Sequence, residues 1–89
     1  MPTIMITHEV TDTDHWLASP RREEILPSLG VSSIRTFVDP QDRKKVGLVL
    51  DVADLDAFFA ALASPPDELT EAMKYDTVLP ETMAVLIAS

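Results

Sequence analysis

The sequence predicts an α+β fold in which one antiparallel sheet carries its helices on a single face. Three observations predict it. Segments with the two-residue period of strands and segments with the 3.6-residue period of helices follow one another in the order β-α-β-β-α-β. The two middle strands are separated by a short turn, which pairs them as an antiparallel hairpin. The whole order fits in 89 residues, enough for two split βαβ halves and nothing more.

Thr3 to Val10 is the first strand: Ile4, Ile6, His8 and Val10 share one face, and Thr3, Met5, Thr7 and Glu9 share the other. Thr11-Asp12-Thr13-Asp14 then starts a helix, with Thr11 and Asp14 at capping-box spacing and carboxylates near the positive helix end. His15-Trp16-Leu17-Ala18 forms its first turn. Ser19-Pro20 restarts or kinks it, Arg21 to Leu26 continues it, and Pro27 and Gly30 end it. Val31 to Val38 is the second strand. Asp39-Pro40-Gln41-Asp42 has turn chemistry, and Val46 to Val52 is an apolar run suited to a central strand.

Asp54 caps the clearest helix, in which Leu55, Phe58, Phe59 and Leu62 fall at i, i+3, i+4 and i+7. Ser64-Pro65-Pro66-Asp67 breaks it and starts another, with serine as cap and proline at the first position. Leu69, Met73 and Tyr75 supply the inner side of that unit. Pro80 closes the segment, and Thr82 to Ala88 is the last strand.

This order describes a ferredoxin-like sandwich, with residues 1–89 as one domain free of repeats, linkers or low-complexity tracts. The face of the sheet turned away from the helices should be polar in a soluble monomer. It carries instead Met5, Phe37 and Val49, with Leu86 or Ile87 according to register. So much apolar surface requires a cover, and a second copy packed face to face supplies one.

Composition excludes several classes of function. Hydrophobic residues at 46% and charged residues at 25% are those of an ordinary globular chain. There are no cysteines, hence no disulfide framework, thiolate metal site or cysteine nucleophile. The formal charge is −8, which argues against nucleic acid and anionic membranes as partners. The charge is uneven: residues 1–45 hold six basic and seven acidic residues, whereas residues 46–89 hold Lys74 alone against eight acids. Such an acidic half reads as a solvated surface that aids solubility. Met1 to Met5 lacks the basic-then-apolar pattern of a leader, and no apolar run approaches the ~20 residues of a membrane span, so the cytoplasm is the expected location. Lys45 to Leu50 lacks the stacking aromatics an RNA-recognition motif needs. Neither a Gly-rich phosphate loop nor a Gly-x-Ser-x-Gly elbow is present.

Two segments, Thr7-His8-Glu9-Val10 with His15-Trp16-Leu17 and Glu71-Ala72-Met73-Lys74-Tyr75-Asp76, together with the order of elements over nearly the whole chain, resemble the dimeric α+β barrel proteins. In that group two ferredoxin-like subunits pack their sheets into one barrel, and the chain looks most like its small bacterial members. The resemblance implies a homodimer. The group includes cofactor-independent monooxygenases, polyketide cyclases, lactone isomerases and haem-degrading enzymes, and the chain matches no complete catalytic pattern of these. No catalytic residue is therefore carried over from them.

The residues themselves offer a candidate site. His8 follows Ile4 and Ile6 on the helix-facing side, where it serves either as a general base in a pocket or as a core histidine bonded to a backbone carbonyl. His15 and Trp16 sit where the mouth of such a pocket would be. Trp16 either stacks on a flat ligand or anchors the helix, and His15 either joins His8 or is solvated. Phe58 or Phe59 would hold a ring, and Tyr75 would close the opening or leave its hydroxyl at the surface. Arg35 is placed for an intersubunit ion pair, and Arg43-Lys44-Lys45 for a solvated hairpin cluster. No zinc-like spacing exists, so no metal and no cofactor are expected. The sequence thus predicts a homodimeric small-molecule-binding or interaction module; the alternatives are a cofactor-independent enzyme, monooxygenase-like or polyketide-cyclase-like, on a small aromatic substrate, and a small-molecule sensor or accessory subunit.

Overall fold

The structure, a computed structural model, describes residues 2–88; residues 1 and 89, the outer limits of the expected domain, lie outside them. The elements run β1 (Thr3–Val10), α1 (Thr13–Ala18), α2 (Arg21–Ile25), a 3-10 turn (Leu26–Leu29), β2 (Val31–Val38), β3 (Lys45–Val52), α3 (Leu55–Ala63), α4 (Asp67–Tyr75) and β4 (Val78–Ile87). The four strands form one sheet in the order β2-β3-β1-β4, and every pairing is antiparallel. This is the ferredoxin-like arrangement, with helices laid on one face of the sheet.

Alternation sorts the residues of β1 and β3 between the two faces. Ile4, Ile6, His8 and Val10 are buried, as are Val46, Leu48, Leu50 and Val52 on the same face of β3, where Leu50, Leu48 and Val46 pair with Ile4, Ile6 and His8. Trp16 from α1, Leu26 from the 3-10 turn and Phe58 from α3 close over these strands to complete the core. Leu55, Phe59 and Leu62 of α3 are half-buried against it.

The register also decides the outer face. Met5 stands opposite Val49 and Leu86, and Val49 opposite Arg35; in the next row Thr7 stands opposite Gly47 and Ala84, and Gly47 opposite Phe37. Met5, Phe37 and Leu86 are exposed. Leu86 is therefore the residue that joins Met5, whereas Ile87 pairs with Ile4 on the helix side.

Several boundaries differ from expectation, each for a local reason. The cap of α1 is Asp12, whose carboxylate accepts from the backbone N–H of His15, so Thr11 and Asp14 form no capping box. Pro27 lies within the 3-10 turn, which tolerates its missing N–H, and Gly30 ends that turn at φ +83°. Asp54 caps α3 as expected, but Ser64 terminates α3 and Pro66, not Ser64, precedes α4. Pro80 does not stop the last strand. β4 is an edge strand whose pairing with β1 shifts between Thr7 and Glu9, and an unpaired edge position does not need the N–H that proline lacks. Thr82 fills the missing rung: its hydroxyl accepts from the Glu9 N–H at 2.8 Å and donates to the Leu79 carbonyl at 2.6 Å.

Candidate functional site

The strand alternation that buries Ile4 and Ile6 carries His8 inside with them, 5% exposed. Its ring meets Trp16 edge-on, with centroids 5.7 Å apart and planes at 79°. The Nδ1 atom is 3.5 Å from the Glu9 carbonyl oxygen, at the far limit of a hydrogen bond, so the backbone holds it weakly. Burial pushes the imidazole pKa below 6.5; the Glu9 carbonyl opposes that, the Arg22 guanidinium adds to it and Asp76 opposes it. His8 is therefore neutral at pH 7 and retains an accepting nitrogen.

Two charged residues join it. Arg22, from α2, and Asp76, the residue that ends α4, are 91% and 96% buried. Arg22 Nη1 donates to the Trp16 carbonyl oxygen at 2.7 Å and lies 3.7 Å from Asp76 Oδ2, close enough for attraction but too far for a hydrogen bond. Burial lowers the guanidinium pKa and the Asp76 and Glu23 carboxylates raise it. Among the described residues, the buried side-chain polar atoms without a partner are Arg22 Nε and Asp76 Oδ1.

These groups border a cavity of about 70 Å³ between sheet and helices, lined also by Ile6, Leu48, Leu50, Phe58, Met73 and Met83. A water occupies about 30 Å³ of liquid, so the cavity has room for roughly two. Three other concavities are larger, one of them, about 180 Å³, along Thr3, Met5, Val49 and Leu86. A groove of about 590 Å³ runs over the outer sheet face past Met5, Thr7, Phe37 and Gly47. Another, about 360 Å³, lies between α2 and α4 and is lined by Asp67, Glu68 and Glu71. The small cavity is the candidate site because Arg22 and Asp76, the residues that carry the unpaired buried polar atoms, line it.

The expected site residues divide into two groups. His8, Trp16 and Phe58 meet at the cavity. His15, Phe59 and Tyr75 are not in its wall. Phe59 sits beside Phe58 on α3, their ring centroids 6.4 Å apart. His15 and Tyr75 contact each other on the outside of the helix layer: the rings are 4.7 Å apart, and His15 Nε2 lies 2.7 Å from the Tyr75 carbonyl oxygen. Tyr75 is exposed, and Arg21 covers its ring at 4.9 Å. Helical geometry explains this, since Tyr75 is six residues past Leu69 and falls about 240° around the helix. The inner stripe of α4 is Leu69, Ala72 and Met73, and the seventh position is Asp76.

The same count finds the residues that sequence reading missed. Arg22, Ile25 and Leu26 stand at i, i+3 and i+4, so both Arg22 and Asp76 occupy positions an apolar side chain would normally take. A charge at a stripe position was the available signal. Elsewhere, Arg43 of the hairpin cluster pairs with Asp14 at 2.9 Å on the surface, and Arg35 lies over Phe37 at 5.5 Å on the outer face. No group of three or more histidine, aspartate or glutamate side chains among the described residues is placed to hold a metal ion.

No protein-family model matches the sequence, and no curated protein matches it either. The fold does match solved structures along its whole length. A Bordetella bronchiseptica protein assigned as an antibiotic biosynthesis monooxygenase superposes with a TM-score of 0.73 at 13% identity, over 100% of this chain and 97% of that one. A Nitrosomonas europaea protein with the same assignment gives 0.64 at 13% identity, over 100% and 97%. One from Deinococcus radiodurans gives 0.59 at 13%, over 100% and 91%. Likeness at such identities is likeness of fold: the chain has the ferredoxin-like fold of these structures.

Proposed function

We propose that this protein binds a small, largely apolar molecule in the cavity beneath its helices, as a homodimer whose second copy covers the outer sheet face. The observation that carries the reading is the polar cluster at the cavity wall. Each unpaired buried polar atom costs about 1–3 kcal/mol, and an ion pair held apart beside a void is a poor way to stabilise a thin core. Apolar walls with a few converging polar groups are what a small-molecule site requires. The cavity is smaller than the ~150 Å³ that admits a benzene ring. Met73 and Met83 supply the adjustable part of the wall, because an unbranched thioether side chain changes rotamer at low cost.

The partner copy is argued from Met5, Val49, Ala84, Leu86 and Phe37, which leave the outer face apolar across four strands. A face-to-face dimer of this kind buries about 2,000 Å² or more. No helix among the described residues is long and apolar enough to cross a membrane. With a net charge of −8 and no cysteine, the reading has neither nucleic acid nor membrane as partner and places the protein in the cytoplasm.

Trp16 is the chain's one tryptophan, so its indole N–H resonance reports directly on the cavity. Titration with small monocyclic aromatics is expected to shift that resonance saturably. Ala72→Leu, which fills the cavity from α4, should abolish the shift while the circular dichroism spectrum is retained. Failure of every ring to bind at millimolar concentration would overturn the reading.

A second reading, cofactor-independent oxygenation of a bound aromatic, is favoured by one observation, the neutral His8 beside the cavity. Several neighbours in fold are also described as monooxygenases. In this reading His8 takes a proton from an acidic O–H or C–H of the substrate, and the electron-rich product of that step reacts with dioxygen. Substrate-dependent oxygen uptake that His8→Asn removes, with binding retained, is the expected result.

A further inference from the structure

We infer that Arg22 and Asp76 form a donor–acceptor clamp at the polar end of the cavity, selecting a neutral ligand group that both accepts and donates a hydrogen bond, a hydroxyl or a carboxamide. The inference rests on the reading of the cavity as a binding site and adds to it which chemistry the site selects. Arg22 has committed Nη1 to the Trp16 carbonyl, and its Nε–H is left without an acceptor. Asp76 has its Oδ2 turned toward Arg22, and its Oδ1 is left without a donor. Both residues are more than nine-tenths buried and both line the cavity. One unmet donor and one unmet acceptor on two residues of the same wall call for a group with the opposite pair. A hydroxyl oxygen accepts from Arg22 and gives its proton to Asp76; a carboxamide does the same with its carbonyl and its N–H.

Charge narrows the choice. Arg22 and Asp76 cancel, and His8 in the same lining is neutral, so the wall has no net charge to offset an ion. A carboxylate would satisfy Arg22 but place a second negative charge against Asp76 with little water between them, and an ammonium would do the reverse. The rest of the lining, including Ile6, Leu50 and Phe58, asks for an apolar body. The selected molecule is therefore neutral, with one hydroxyl or carboxamide on a small hydrocarbon frame.

The test uses four probes of similar size, phenol, benzamide, toluene and benzoate, each titrated into the full chain at pH 7.5 and followed by the Trp16 indole N–H resonance. Phenol or benzamide should bind about tenfold or more tightly than toluene and benzoate, the scale expected when a buried donor and acceptor go unmet, and comparing the first two separates hydroxyl from carboxamide. Asp76→Asn keeps the shape and removes the negative charge, so benzoate should gain on phenol by about tenfold. Because a single change in a buried pair can unfold the chain, the decisive variant is the double replacement Arg22→Met with Asp76→Leu. It should still bind toluene and should lose the preference for phenol and benzamide. Toluene binding the wild-type chain as tightly as phenol and benzamide, or a double variant that keeps the preference, overturns the clamp and leaves the cavity reading standing. If none of the four binds the wild-type chain, both are overturned.

Discussion

Arg22 places its guanidinium carbon 4.4 Å from the centre of the Trp16 ring while donating a hydrogen bond to the Trp16 backbone carbonyl at 2.7 Å. One residue of α2 thus holds both the side chain and the main chain of one residue of α1. The ring face supplies negative potential to the cation, and the carbonyl, at the end of a six-residue helix, accepts from the Ser19 N–H at 3.4 Å as well as from Arg22. Asp76 completes the charge balance from the far end of α4, so the three helices meet at Trp16.

Removing half of this arrangement should cost more than removing all of it. Arg22→Met leaves Asp76 buried without a counter-charge and the Trp16 carbonyl with only the long bond from the Ser19 N–H, and a loss of about 3 kcal/mol is expected in urea unfolding. Adding Asp76→Leu should restore at least half of that loss, since the second change removes the uncompensated charge. A double variant as unstable as the single one would show that the Trp16 contacts, not the ion pair, carry the cost.

The lowered pKa of His8 makes stability depend on pH. The unfolded chain takes up a proton on His8 near pH 6.5, whereas the folded chain resists it because the ring is buried. Between the lowered folded-state pKa and 6.5 the unfolded state therefore binds more protons, and stability falls as pH is lowered. The contribution of His8 is complete above pH 6.5 and declines below it, with a slope of at most about 1.4 kcal/mol per pH unit. Urea melts of the wild-type chain and His8→Asn from pH 7.5 to 5.5 should show this decline in the first and not in the second.

If a second copy covers the outer sheet face, charge on that face should separate the copies without unfolding either. Leu86 is the better site than Val49, because it is 57% exposed on an edge strand, whereas Val49 is half-buried opposite Arg35, which would pair with an introduced carboxylate. Light scattering should give about twice 9.8 kDa for the wild-type chain. Leu86→Asp combined with Met5→Asp should give the single-chain mass, with an unchanged circular dichroism spectrum.

Thr77 has a φ of +61°, a conformation that strains a β-branched residue, yet its hydroxyl accepts from the Asp12 N–H at 3.1 Å and its carbonyl accepts from the Thr11 N–H at 3.1 Å. It thereby ties the turn after α4 to the start of α1, next to Asp76. Thr77→Ala keeps the strain and loses the hydroxyl bond, while Thr77→Gly loses the bond and relieves the strain. Thermal unfolding should therefore rank glycine above alanine by about 1 kcal/mol.

What could be read from the chain is what has a fixed period. The strict alternation from Thr3 to Val10 assigned Ile4, Ile6, His8 and Val10 to one side, and the structure buries all four. The i, i+3, i+4, i+7 spacing of Leu55, Phe58, Phe59 and Leu62 likewise placed α3 on the core. In both cases the geometry of one element decides the outcome, because a two-residue or 3.6-residue repeat determines which side chains point the same way. Extending the same count by one turn would have flagged Asp76, but a charge at that position only acquires meaning once its partner is known.

That partner was decided by tertiary structure. Arg22 and Asp76 lie on helices with two strands between them in sequence, and nothing local sets their 3.7 Å approach; it arises because α2 and α4 pack over the same part of the sheet. The extension of β4 through Pro80 has the same origin, since only pairing with β1 reveals that the proline falls at a shifted register where no N–H is needed. Periodicity determines which face a residue occupies. Contact between faces depends on how the elements pack, and the candidate site is built from such contacts.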